Sequence, residues 1–124
     1  MKFGLIQMKE NRKFRRIDLA EKPEVYDAHS NELLGWMVDI STGGFKMVTS
    51  SEMEEGKEYS LNIVLPERNN LKKSVEVKAS VCWCAKDINP DSITSGFHLV
   101  QIDALGRLDL ASLMINRPMP NEDI

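Results

Sequence analysis

Within the strand expected from Lys73 to Ala85, polar and apolar residues alternate without a break over the eleven residues from Val75. Val75, Val77, Ala79, Val81, Trp83 and Ala85 fall on one face, and Glu76, Lys78, Ser80, Cys82, Cys84 and Lys86 on the other. Strict period two marks a strand with one buried side. Tyr59, Leu61, Ile63 and Leu65 repeat the pattern over Glu58–Leu65, and Pro66 ends that strand. Leu33–Ile40 and Phe45–Val48 read as two strands around a glycine turn, and Ile93–Ile102 as a last one broken by Gly96. Ile17–Ala28 alternates imperfectly. It contains Pro23, which has no amide to donate, so an edge or a bulge is expected there. His29-Ser30-Asn31-Glu32 has the composition of a hairpin turn.

After Asp103, an N-cap candidate, the period lengthens. Ala104, Leu108, Ala111 and Ile115 follow at helical spacing, and Leu105, Leu110, Leu113 and Met114 widen the apolar surface. Gly106, Asp109, Ser112 and Asn116 form the only polar stripe, and Pro118 closes the helix. So broad an apolar face must pack on the sheet, on a partner, or on both. Six short strands and a final helix predict an all-β fold, a small six-stranded antiparallel (split) β-barrel with one C-terminal α-helix. Residues 17–117 make this domain. Residues 1–16 form a basic N-terminal arm expected to be flexible, and residues 118–124 a tail.

With 124 residues and 42% hydrophobic content, the chain suits one domain with one modest core. It has no run long enough to span a membrane, and Met1–Gln7 lacks the apolar core of a secretory signal. Cys82 and Cys84 stand two apart on a strand, a poor fit to disulfide geometry, which points to reduced thiols in a cytoplasmic protein. The net charge of −3 hides an asymmetry: residues 1–16 hold six basic side chains and one acidic, the remainder 10 basic and 18 acidic. An acidic body repels nucleic acid beyond the arm, so a compact, doubly phosphorylated ligand fits better than a polymer. His29 and His98 have no acid partner placed by spacing, and no catalytic residue is assigned. Cys82, Cys84, His29 and His98 lack zinc-knuckle spacing, and no metal ligand is assigned either. Trp36 and Trp83 read as core or rim aromatics.

Between the second and third strands lies Asp39-Ile40-Ser41-Thr42-Gly43-Gly44. Such residues make a tight turn, with Asp and Ser bonding local amides, or they aim their oxygens at a ligand. Upstream, Arg12-Lys13-Phe14-Arg15-Arg16 places two arginines four apart. Together the two stretches resemble the signature of the PilZ domain family, bacterial receptors for cyclic di-GMP. Its pattern is Arg-x-x-x-Arg on an N-terminal arm, then Asp/Asn-x-Ser-x-x-Gly. Arg12 and Arg16 fill the first motif, and Asp39, Ser41 and Gly44 the second. The resemblance covers roughly residues 10–115 and implies the same barrel. Val81-x-Trp83 and Gly96-Phe97 agree with softer family features.

The resemblance implies that Arg12 and Arg16 bind the ligand. A guanidinium pairs with guanine O6 and N7, stacks on the ring, or forks onto phosphate. Asp39 would accept from guanine N1 and N2, and Ser41 would offer a hydroxyl beside turn amides. Gly44 is expected to hold the loop at positive φ, with Gly43 as a further candidate. Lys13 and Arg15 fall on variable positions and add general attraction. Arg16 and Asp39 are expected at the surface, where they contribute little to stability. Asn11 stands where many members carry another arginine or a bulky residue, which leaves one bound molecule or an intercalated pair open. The resemblance thus implies a non-enzymatic receptor, monomer or homodimer, needing no cofactor besides the ligand. Its arm orders on binding and signals to an unidentified protein partner in motility, biofilm or exopolysaccharide control. The alternatives are a PilZ-like interaction module that binds no nucleotide, and a barrel for single-stranded nucleic acid, which the acidic body disfavours.

Overall fold

The structure, a computed structural model, describes residues 17–19, 21–67, 73–88 and 92–115. Seven strands form one antiparallel sheet: β1 (Ile17–Asp18), β2 (Glu24–Asp27), β3 (Leu33–Ser41), β4 (Gly44–Thr49), β5 (Glu58–Val64), β6 (Ser74–Lys86) and β7 (Ile93–Gln101). A helix, α1 (Ala104–Ile115), follows. Hydrogen bonding runs β3-β2-β5-β6-β7-β4 and closes through β3–β4 into a six-strand barrel. The seventh strand comes from splitting the expected Ile17–Ala28. Both β1 and β2 pair with β3, at Ile17↔Ile40 and at Glu24↔Trp36. Pro23 lies between them and cannot donate to the ladder, though its carbonyl still accepts from Met37 N at 2.9 Å.

Inward residues of every stave fill the barrel. Val25, Met37, Ile40, Phe45, Met47, Leu61, Ile63 and Val77 are fully buried. Burying a side chain of this size is worth roughly 1.5–3 kcal/mol, so this layer is the main term favouring the fold. At its centre Phe45 and Phe97 stack at 5.1 Å, and Tyr59 meets Phe97 edge-on at 6.4 Å. The β2–β3 hairpin turns through Asn31 at φ 65°, with Asn31 N donating to Asp27 O.

Two expectations about faces need correcting. On β6 the alternation holds only to Val81, because a bulge between Val81 and Trp83 shifts the period by one. Trp83 therefore turns outward, Cys84 leans toward the core, and Ala85 is exposed. On α1 the packed residues are Gly106, Leu110 and Leu113, which leaves Leu105 and Leu108 to solvent at 73% and 67% exposure. Gly106, assigned to the polar stripe, is the point where the helix approaches β6. A Cβ there would sit 2.9 Å from Val75 Cγ1. Asp103 caps the helix as expected, accepting from Gly106 N at 2.7 Å.

Candidate functional site

The Asp39–Gly44 turn joins β3 to β4, and register carries its surroundings across four strands. Asp39 pairs with Lys46, Lys46 with Gly96, and Gly96 with Trp83. One row along, Ser41 pairs with Gly44, Gly44 with His98, and His98 with Ser80. Cross-strand partners share a face, so these two rows tile the outside of the barrel. Between them, Ile40, Phe45, Phe97 and Val81 form the corresponding inner row. The outer patch is thus backed by the stacked phenylalanines.

A bulge aims Asp39. Met37 pairs with Met47, and Asp39, not Val38, takes the next pairing with Lys46. Unbroken alternation would put Asp39 on the same side as Met37, in the core. The extra residue reverses this, so Ile40 points in, and Asp39 and Ser41 point out. Val38 O accepts from Leu19 N at 3.0 Å, which ties the bulge to the segment after β1.

Asp39 does not stand open at the surface as expected. Its exposure is 3%, and Lys46 Nζ lies 3.3 Å from Oδ2. A carboxylate this buried needs charged or hydrogen-bonding company, and Lys46 supplies part of it. Ser41 is also buried, and its hydroxyl donates to Gly44 O at 3.4 Å. Leu99 N donates to Gly43 O at 2.9 Å, fastening the turn to β7.

Gly44 is needed for a different reason from the one expected. Among the described residues the only glycine at positive φ is Gly56. At Gly44 an added Cβ would run into the carbonyl oxygen of Phe97, so close strand approach excludes a side chain there. At Gly43 an added Cβ would meet nothing within 4 Å, so that position carries no such constraint.

Trp83 and Lys46 complete the face, although their sequence context did not assign them to it. The indole lies over Gly96, where a Cβ would collide with Nε1 and Cε2, and is 40% exposed. Trp36 is exposed as well, so neither tryptophan belongs to the core. The Gly96-Phe97 pair was the available signal: a glycine opposite a tryptophan on neighbouring strands makes a seat for the ring. Beyond the turn, an apolar cavity of about 330 Å³ separates it from α1, lined by Ile40, Ser41, Thr42, Leu99, Leu108 and Met114 among others. Arg12, Lys13, Arg15 and Arg16 lie outside the described residues. No group of three or more His, Cys, Asp or Glu that could hold a metal occurs among the described residues. Among them, too, no helix is long and apolar enough to cross a membrane.

The PilZ domain family model matches residues 10–116. Among solved structures the chain is similar to the inhibitor of motility MotI/DgrA of Bacillus subtilis, at TM-score 0.66 and 18% identity, over 86% of this chain and 52% of that one. It is similar to YcgR of Escherichia coli in complex with c-di-GMP, at TM-score 0.64 and 15% identity, over 84% and 44%. The isolated PilZ domain of YcgR with c-di-GMP aligns at TM-score 0.61 and 13% identity, over 81% and 86%. The chain therefore spans about half the length of the first two proteins. Among curated proteins compared by sequence, none matches significantly.

Proposed function

The chain belongs to the PilZ domain family, and on that premise we propose that it is a non-enzymatic receptor for cyclic di-GMP. The observation that carries this reading is the outward-facing row from Asp39 to Trp83. A carboxylate suited to a guanine N1–N2 edge and an exposed indole suited to a flat ring lie on one face, with two strands between them. Two of the similar structures contain c-di-GMP, each at under 25% identity, which adds support at the level of the fold.

Arg12 and Arg16 complete the site in this proposal. Ile17 pairs with Ile40, so the chain enters the barrel beside Ser41, and Arg16 is one peptide bond away. Ligand held by both motifs draws residues 12–16 onto the barrel, and Lys13 and Arg15 add attraction. The output is a contact with a protein partner. The exposed Leu105 and Leu108 on α1 offer a surface for it, and the apolar cavity links that helix to Ser41 and Thr42. Motility control is the process we favour, because one similar protein is an inhibitor of motility.

Calorimetric titration tests the reading. Cyclic di-GMP should bind at micromolar or tighter affinity, about −8 kcal/mol or better, and ahead of cyclic di-AMP and GTP. Adenine presents an amino donor where guanine has O6, so the arginine and carboxylate contacts are lost. Equal affinity for the adenine analogue overturns the guanine assignment. No binding at all favours an interaction module, for which the exposed leucines of α1 already speak. Trypsin cleavage after Arg12, Lys13, Arg15 and Arg16 should slow at saturating ligand, and unchanged cleavage rules out docking of the arm.

A further inference from the structure

Lys46 sits in the middle of the outer row, directly paired with Asp39 on one side and Gly96 on the other, with Trp83 beyond. We propose that Lys46 is a phosphate-binding residue of this site, and that it reaches the phosphate by leaving the Asp39 carboxylate. The inference rests on the receptor reading above. A guanine edge bonded to Asp39 needs the position beside Oδ2 that Lys46 Nζ now occupies at 3.3 Å. The Asp39 side chain is 4% exposed and that of Lys46 34%, so the lysine is the partner with room to move.

The exchange keeps charge balanced. Guanine N–H donors replace the ammonium at Asp39, and the freed ammonium meets a ligand carrying two negative charges. Lysine suits this step, being a compact charge on a flexible four-carbon stem. Position matters equally: a molecule spanning from Asp39 to Trp83 must carry its sugar–phosphate over Lys46. Across both outer rows Lys46 is the permanently charged cation among the described residues.

The test is titration of cyclic di-GMP against wild type, Lys46→Gln and Lys46→Arg at several salt concentrations. Lys46→Gln should weaken binding about tenfold at low salt and flatten the slope of log Kd against log salt, because one charge–charge contact that salt screens is lost. Lys46→Arg should retain most of the affinity and the slope. If Lys46 serves only to neutralise Asp39, Lys46→Gln lowers the thermal midpoint but leaves affinity and slope unchanged, and the proposal is overturned. A second measurement needs no variant. In the wild-type protein, cyclic di-GMP should protect Lys46 from an amine-acetylating reagent, read by peptide mass spectrometry, and undiminished labelling counts against the proposal. Wild-type protein that binds no cyclic di-GMP refutes the receptor reading itself; normal wild-type binding with an indifferent Lys46 refutes only this inference.

Discussion

Alanine at Gly44 and alanine at Gly43 should behave very differently, although the residues are neighbours in one turn. A Cβ on Gly44 would strike Phe97 O and lie 3.1 Å from Phe97 C and 3.3 Å from His98 Cα. All three are backbone atoms of β7, so no change of rotamer relieves the clash. The strand must move instead, and β4 is registered to β7 from Gly44↔His98 to Thr49↔Ile93. Overpacking ordinarily costs ~1–3 kcal/mol, and an unyielding backbone neighbour places Gly44→Ala near the top, at about 3 kcal/mol. At Gly43 a methyl group meets nothing within 4 Å. There the chief effect is on the unfolded chain, a gain of about 0.4–1 kcal/mol. For a domain of this size 1 kcal/mol corresponds to roughly 3–5 °C, so the two midpoints should differ by ~10 °C or more. Urea unfolding followed by tryptophan fluorescence, with calorimetric melting alongside, measures the difference. If Gly44→Ala melts within a degree or two of wild type, or Gly43→Ala is the worse of the pair, the close-approach explanation of this glycine is wrong.

Asp39→Ala should lower the thermal midpoint of the free protein as well as abolish tight binding. It removes a buried carboxylate paired with Lys46, at a cost of roughly 1–3 kcal/mol once the partial exposure of the lysine is allowed for, and an unchanged midpoint would show the pair to be inert. Cys82→Ser should be neutral, because that side chain is exposed. Cys84→Ser should cost about 1 kcal/mol, since Cys84 leans on the core and accepts from Ser95 Oγ at 3.4 Å; equal melting curves would contradict the shifted register after Val81. Asp27 is held below the usual aspartate range, first by the Ser30 amide and then by that of His29. Its folded pKa is depressed, so its contribution is present above the ordinary aspartate range and is lost as pH falls through the folded value. Asp27→Asn should flatten the acid limb of a stability–pH curve, and an unaltered limb would remove Asp27 from the account.

The barrel was legible from alternation because most strands bury one side only, and Tyr59–Leu65 and Val75–Val81 obey that rule to their ends. The break at Pro23 was legible too, since a residue without an amide interrupts any ladder. The helix lies where its spacing placed it, but its packed face does not. Leucine on every side made the stripe ambiguous, and the deciding residue was Gly106, whose missing side chain lets α1 approach Val75. In the site, the motif residues Asp39, Ser41 and Gly44 come together on one turn as expected. The role of Gly44 was misjudged because a residue type does not distinguish a need for positive φ from a need for space. Lys46 was passed over and Trp83 was read only as a core or rim aromatic, because their relation to Asp39 is a matter of register, which depends on pairings between strands far apart in sequence.

Two bulges explain how a closed barrel with a filled interior presents the proposed binding face at all. On unbroken strands Asp39 shares the side of Met37, and Trp83 the side of Val81; both sides face the core. One extra residue at Val38 turns the carboxylate outward, and one at Cys82 does the same for the indole. The bulges lie on β3 and β6, with only β4 and β7 between them, and those two strands contribute Lys46 and Gly96 to the space in the middle. Each bulge gives up a regular ladder position, and each is secured nearby, by Leu19 N on Val38 O in one case and by the seat that Gly96 gives Trp83 in the other. Valine and cysteine are ordinary strand residues, so nothing in their chemistry announces the shift. The same rule that makes the strands readable therefore hides the proposed site, because Asp39 and Trp83, two of the residues proposed to face the ligand, stand where alternation is broken.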